Sequence, residues 1–98
     1  MRTLVIINQE KFEKFLNWLD PNSESAAQKY ELMLQRLIDF FESRGCLKPD
    51  DLADETITRV LGKIDELVDT YQGKPNAYFF YVAKRVFYEY SNNRCLKN

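Results

Sequence analysis

Apolar residues recur along most of the chain at intervals of three and four, the spacing that lines one face of a helix. Over residues 9–19 that face is Phe12, Phe15, Leu16 and Leu19. Over 21–44 it is Tyr30, Met33, Leu34, Leu37 and Phe41, with Ala26 and Ala27 allowing close approach near the start. Over 49–68 it is Ala53, Ile57, Val60, Ile64 and Leu67. From residue 75 to about 92, Phe79, Val82, Ala83, Val86 and Tyr90 face inward. No segment alternates as a half-buried strand would, apart from the short run LVII at 4–7. Pro21, Pro49 and Pro75 each open one of the longer segments, and proline is favoured in the first turn, where its missing N–H costs nothing. Gly45 and Gly73 stand where helices would end. The pattern predicts an all-α fold, a compact bundle of four helices with short loops, forming one domain over 1–98 with 1–8 as an N-terminal extension.

The last segment has more apolar surface than one stripe requires. NAYFFYVAKRVFYEY, residues 76–90, holds seven aromatic residues, two cations and the single acid Glu89. Phe80, Tyr81, Lys84 and Tyr88 fall opposite the inward face, with Arg85 on the flank. An exposed aromatic face of this kind meets either another protein or something else flat.

Charge sharpens the picture. The whole chain carries a net charge of −1, which argues against a general nucleic-acid binder. Residues 1–75, however, carry −4, and residues 76–98 carry +3. A basic end on an acidic body suits a protein with two different partners. The third helix is the acidic extreme, at −5 over 49–69. Asp50 and Asp51 complement the helix dipole, but Asp54 and Glu55 lie further along. With Thr58 they make a solvent-side stripe that Asp65 extends.

Catalytic chemistry finds little support. DDLAD and the pairs Glu10/Glu13 and Glu66/Asp69 resemble carboxylate sets that hold Mg²⁺. Asp51 and Asp54 point outward on the helical wheel, and no basic phosphate-binding set accompanies them. With no histidine, and no Ser or Cys nucleophile beside a base, the chain does not read as an enzyme. Cys46 and Cys95 form no CxxC pair, so neither metal nor cofactor is expected, and two lone thiols suit a reducing, cytoplasmic setting. LVII is too short for a membrane span or signal core, and no membrane association is expected.

DDLADETITRVLGKI, residues 50–64, is similar to the second conserved stretch of sigma-70 family RNA polymerase sigma factors. NAYFFYVAKRVFYEYSNNR, residues 76–94, resembles the stretch that follows it in that family, and AAQKYELMLQRLIDFFESRGC, residues 26–46, resembles the helix before it. The likeness runs from about Leu16 to Arg94 and implies the region 2 fold. It implies a transcription-initiation module that grips core RNA polymerase with one helix and contacts melted promoter DNA with the next. The polymerase contact, a basic coiled coil of the largest subunit, would fall on Asp51, Leu52, Asp54, Glu55 and Thr58. The DNA contact would fall on Tyr78, at the family's Trp position, and on Tyr81, Lys84, Arg85, Tyr88 and Arg94. Rings that stack on exposed bases beside cations that neutralise phosphate suit that task. An anti-sigma-like protein is a further partner the resemblance implies.

The chain also departs from the family. Arg85 replaces the usual Asn, and Asn92 and Asn93 replace the first two residues of its basic cluster. The 70–74 linker is short. No helix-turn-helix domain follows within the 98 residues, so an excised domain and a stand-alone protein are both expected forms. The alternative is a helical interaction protein or regulator that kept the fold and lost promoter binding.

Overall fold

The computed structural model describes the backbone of residues 9–97 and the side chains of residues 9–91, and the regular structure among these described residues is all helical. Five helices are found among the described residues: α1 (Gln9–Leu19), α2 (Ser23–Ser43), α3 (Pro49–Gly62), α4 (Ile64–Thr70) and α5 (Pro75–Lys97). The bundle and α1 are as expected. The run LVII lies outside the described residues.

Helix ends follow local chemistry, with one correction. Pro21 is not in the first turn of α2. Asn22 takes the cap, its side chain accepting the Ser25 N–H at 3.0 Å, so Pro21 stands just outside. Asn is among the best N-cap residues, and its carbonyl satisfies a donor that proline cannot help. Pro49 and Pro75 do open α3 and α5. Gly45 closes α2 with φ of 78°, the left-handed conformation glycine adopts freely. Gly45 N–H donates to Glu42 O, and Cys46 N–H to Phe41 O, which satisfies two terminal carbonyls of the helix.

The expected third helix is two helices. It breaks at Lys63, immediately after Gly62, the least favourable helix former in the segment's interior. The Lys63 N–H turns back to Val60 O, and the Lys63 carbonyl accepts from both Glu66 and Leu67. Because the break is one tight turn, the apolar phase survives. Val60, Ile64 and Leu67 all remain buried, which is why periodicity alone runs straight through it.

α2 packs along α3, α3 along α5, and α1 against α2 and α4. Phe15, Leu37, Phe41, Ile57, Leu61, Ile64 and Phe79 are almost wholly buried where they meet. Thr56 is buried with them, its hydroxyl donating to Leu52 O at 2.9 Å, a core position the apolar pattern could not reveal. Phe12, Leu16, Tyr30, Leu34 and Tyr90 are half-buried at the rim, and Ala27 is exposed while Ala26 is buried. α5 runs beyond residue 92, to Lys97.

Tyr30 is the odd member of this interior. Its ring meets Phe12 and Phe15 edge-on, at 5.8 and 5.9 Å. Its Oη is buried without a hydrogen-bond partner among the described residues. Burial, and then the nearby Asp54 carboxylate, push the phenol well above its ordinary pKa. An unsatisfied buried hydroxyl contributes nothing to offset its desolvation. Tyr30→Phe should therefore leave stability unchanged or raise it. Phe15→Ala should cost about 3–5 kcal/mol through the cavity it leaves. Urea melts of the two variants beside the parent check both expectations.

Candidate functional site

The outer face of α5 is built by what its inner face must bury. Phe79, Val82, Ala83 and Val86 are buried, and this turns Tyr81, Lys84, Arg85 and Tyr88 outward. Tyr81 is 54% exposed and Tyr88 62%, high values for large rings. Phe80, expected on that outer face, is instead half-buried, its ring 5.7 Å from Phe40. Phe87 also meets Phe40, and the Arg44 guanidinium lies 3.7 Å over the Phe40 ring. These groups close the seam between α2 and α5, so Phe80 is structural. Arg94 lies on α5, but its side chain is outside those described.

The rings do not stop at α5. Trp18 of α1, Tyr71 after α4, and Tyr78 and Tyr81 of α5 form a continuous ladder. Successive centroids are separated by 6.2, 5.3 and 5.8 Å. The first two pairs meet edge-on, a favoured geometry for aromatic rings, and the third is tilted. The Arg85 guanidinium caps the far end, 5.8 Å over the Tyr81 ring, with its Nη1 donating to Tyr81 Oη at 3.3 Å. Trp18 and Tyr71 were not legible as site residues. Each sits in a different segment, and only the fold brings them to α5.

Gly73 makes the second rung possible. A Cβ at that position would lie 2.5 Å from Tyr71 Oη, so any side chain there displaces the ring. The Tyr71 hydroxyl then donates to Lys74 O at 3.2 Å and holds the ring across the loop.

Beside the ladder runs a groove of about 640 Å³ between the α3–α4 junction and α5, lined by Arg59, Gly62, Lys63, Tyr78, Tyr81, Val82 and Arg85. Lys63 is exposed there. Arg59 is held by two acids. Its Nη1 and Nη2 donate to both carboxylate oxygens of Glu89 at 3.0 and 2.7 Å, and its Nε donates to Glu55 at 2.8 Å. This fork ties α3 to α5 with paired, oriented bonds. Arg59 holds the Glu89 carboxyl below its ordinary pKa, chiefly by hydrogen bonding.

The acidic stripe of α3 is less open than the wheel suggests. Glu55 is exposed but engaged by Arg59, and Asp51 and Asp54 are half-buried. Leu52 packs at the core rim, and the Thr58 hydroxyl donates to Asp54 O at 2.8 Å. Asp65 does not extend the stripe. It lies past the break on α4, where Lys14 of α1 donates to it at 2.7 Å and Lys11 approaches at 4.0 Å. Among the described residues no cluster of acids, cysteines or histidines could hold a metal ion. No described helix is long and apolar enough to cross a membrane.

Comparison with protein-family models gives no match, and comparisons with curated proteins and with solved structures give none. The chain's own geometry therefore carries the functional argument.

Trp18 is the single tryptophan, so its emission reports on the ladder. Gly73→Ala should shift or brighten that emission by moving Tyr71, while far-UV circular dichroism stays at the parent's level. Unchanged emission would place Tyr71 away from Trp18 in solution.

The Glu89 pair also sets a pH dependence. A carboxylate whose folded pKa is depressed contributes stability above its unfolded pKa and loses it as pH falls toward the folded one. The melting-temperature advantage of the parent over Glu89→Gln should be full at neutral pH and shrink through the acidic glutamate range. A constant difference down to about pH 3 would show that the carboxylate charge contributes no stability.

Proposed function

We propose that this chain is a sigma region 2-like transcription-initiation module. In this reading α5 contacts the unpaired strand of melted promoter DNA, and α3 meets core RNA polymerase. The observation that carries it is the aromatic ladder ending in the exposed Tyr81 and Arg85, with Tyr78 at its edge and Lys84 and Tyr88 on the same helix. Unpaired bases stack on rings irrespective of sequence, while Lys and Arg neutralise the backbone beside them. Rings locked by their neighbours lose little further freedom on binding, so more of the stacking energy remains available.

The number of cations limits what the domain does alone. Lys63, Lys84 and Arg85 face outward, whereas Arg59 is committed to Glu55 and Glu89. Few phosphate contacts mean modest affinity and a shallow salt slope. A second contact, with polymerase through Asp51, Leu52, Asp54, Glu55 and Thr58, would supply the missing affinity by effective concentration. The same neutralisation of Arg59 favours the second reading, a helical interaction module in which the ring face meets protein. In that case, the ladder is an anchor for a partner rather than for bases.

Fluorescence anisotropy with a melted-promoter oligonucleotide, with and without core polymerase, separates the two. The parent should bind weakly alone and more tightly with polymerase. Tyr81→Ala with Tyr88→Ala should lose about 1–3 kcal/mol per stacked base with its circular dichroism unchanged. Equal binding by parent and double variant in both conditions would show that the face is not a nucleic-acid surface.

A further inference from the structure

A second groove, separate from the ladder, opens between α2 and the start of α5. Lys29, Leu32, Met33 and Arg36 of α2 line one wall, Lys74, Pro75 and Asn76 the other, and Leu19 the floor, around about 480 Å³. The four α2 residues stand at i, i+3, i+4 and i+7, so they form one stripe along the helix. Leu32 is 55% exposed. Lys29 pairs with Asp20 at 2.9 Å, and that carboxylate also accepts the Asn22 N–H at the α1–α2 turn. Arg36 and Lys74 make no ion pair among the described residues. The lining thus offers unneutralised positive charge on both walls around an exposed aliphatic centre.

We propose that this groove docks an acidic segment of a partner protein, with an aliphatic side chain seated on Leu32 and carboxylates meeting Arg36 and Lys74. Charge complementarity selects the occupant, since opposed charge steers encounter and sets orientation while the buried anchor supplies affinity. The lining contains no aromatic ring, so it lacks the flat partners an unpaired nucleic-acid strand uses. The lining side chains are distinct from the rungs and from the groove beside them, and the one link between the two sites is the Lys74 backbone carbonyl, which accepts from Tyr71 Oη.

The test uses a fluorescein-labelled peptide, Glu-Glu-Leu-Leu-Glu-Glu, titrated with the whole chain at low ionic strength and followed by anisotropy. A control peptide carries Ser in place of both Leu, and another carries Lys in place of every Glu. Saturable binding of the first peptide alone is expected. Arg36→Glu and Lys74→Glu should each weaken it about five- to tenfold, and Leu32→Ser should weaken it with little change in salt dependence. All three positions are exposed, and Arg36→Gln gives a gentler loss of charge if a reversal disturbs folding. Tyr81→Ala with Tyr88→Ala should bind the peptide as the parent does, which separates this site from the ladder. Peptide binding indifferent to Arg36 and Lys74 would overturn the proposal. So would displacement by an oligo-dT strand that these reversals also weaken, which would mark a nucleic-acid surface. Concentration-dependent dimerisation lost in Arg36→Glu would overturn it in favour of a second copy of the chain.

Discussion

The Phe15 ring is where three helices agree on their positions. It is wholly buried, stacks on Phe12 of its own helix, and receives Tyr30 of α2 and Phe79 of α5 edge-on at 5.9 and 5.8 Å. Close-packed interiors transmit small displacements, so the placement of α1 here sets what lies one turn further along. That residue is Trp18, which touches both Phe79 and Tyr71. A core contact thereby places the first rung of a surface feature. The outer face of α5 is thus ordered by its own buried stripe together with the core contacts that stripe makes.

Much of the bundle was legible because burial has a period. The inward faces of α1, α2 and α3, and the placement of Phe79, Val82, Ala83 and Val86, follow from spacing alone. What escaped was either local competition or long-range proximity. Asn22 displaced Pro21 at the start of α2 because a side-chain acceptor satisfies a free N–H and proline does not. The break at Lys63 escaped because the apolar phase continues across it. Phe80 read as outward because its angular position on α5 carries no information about Phe40 on another helix. Trp18, Tyr71, Arg59 and Lys63 belong to the candidate surface only through the fold, and no motif connects them in sequence.

The charge pattern behaves in the same way. Composition gives a basic end and an acidic middle, but pairing decides which charges are available to a partner. Arg59 of α3 reaches Glu89 on α5 and Glu55 on its own helix, so a cation of the acidic helix is committed to holding α5. Exposed pairs of this sort contribute little stability individually. Their effect here is orientation: the Glu89 fork fixes the rotation of α5 against α3, and with it the direction in which Tyr81 and Arg85 point.

The break at Lys63 has a further consequence, for the response to ionic strength. α4 has seven residues, too few to be a stable helix without support. Ile64 and Leu67 root it in the core, and Asp65 fastens its outer side to Lys14 on α1. Tyr71 follows at its C-terminus, so the second rung of the ladder hangs from a segment partly secured by an exposed ion pair. An exposed ion pair of this kind weakens as salt is added. Added salt should therefore reach a ring that carries no charge, through the polar tether that joins α4 to α1.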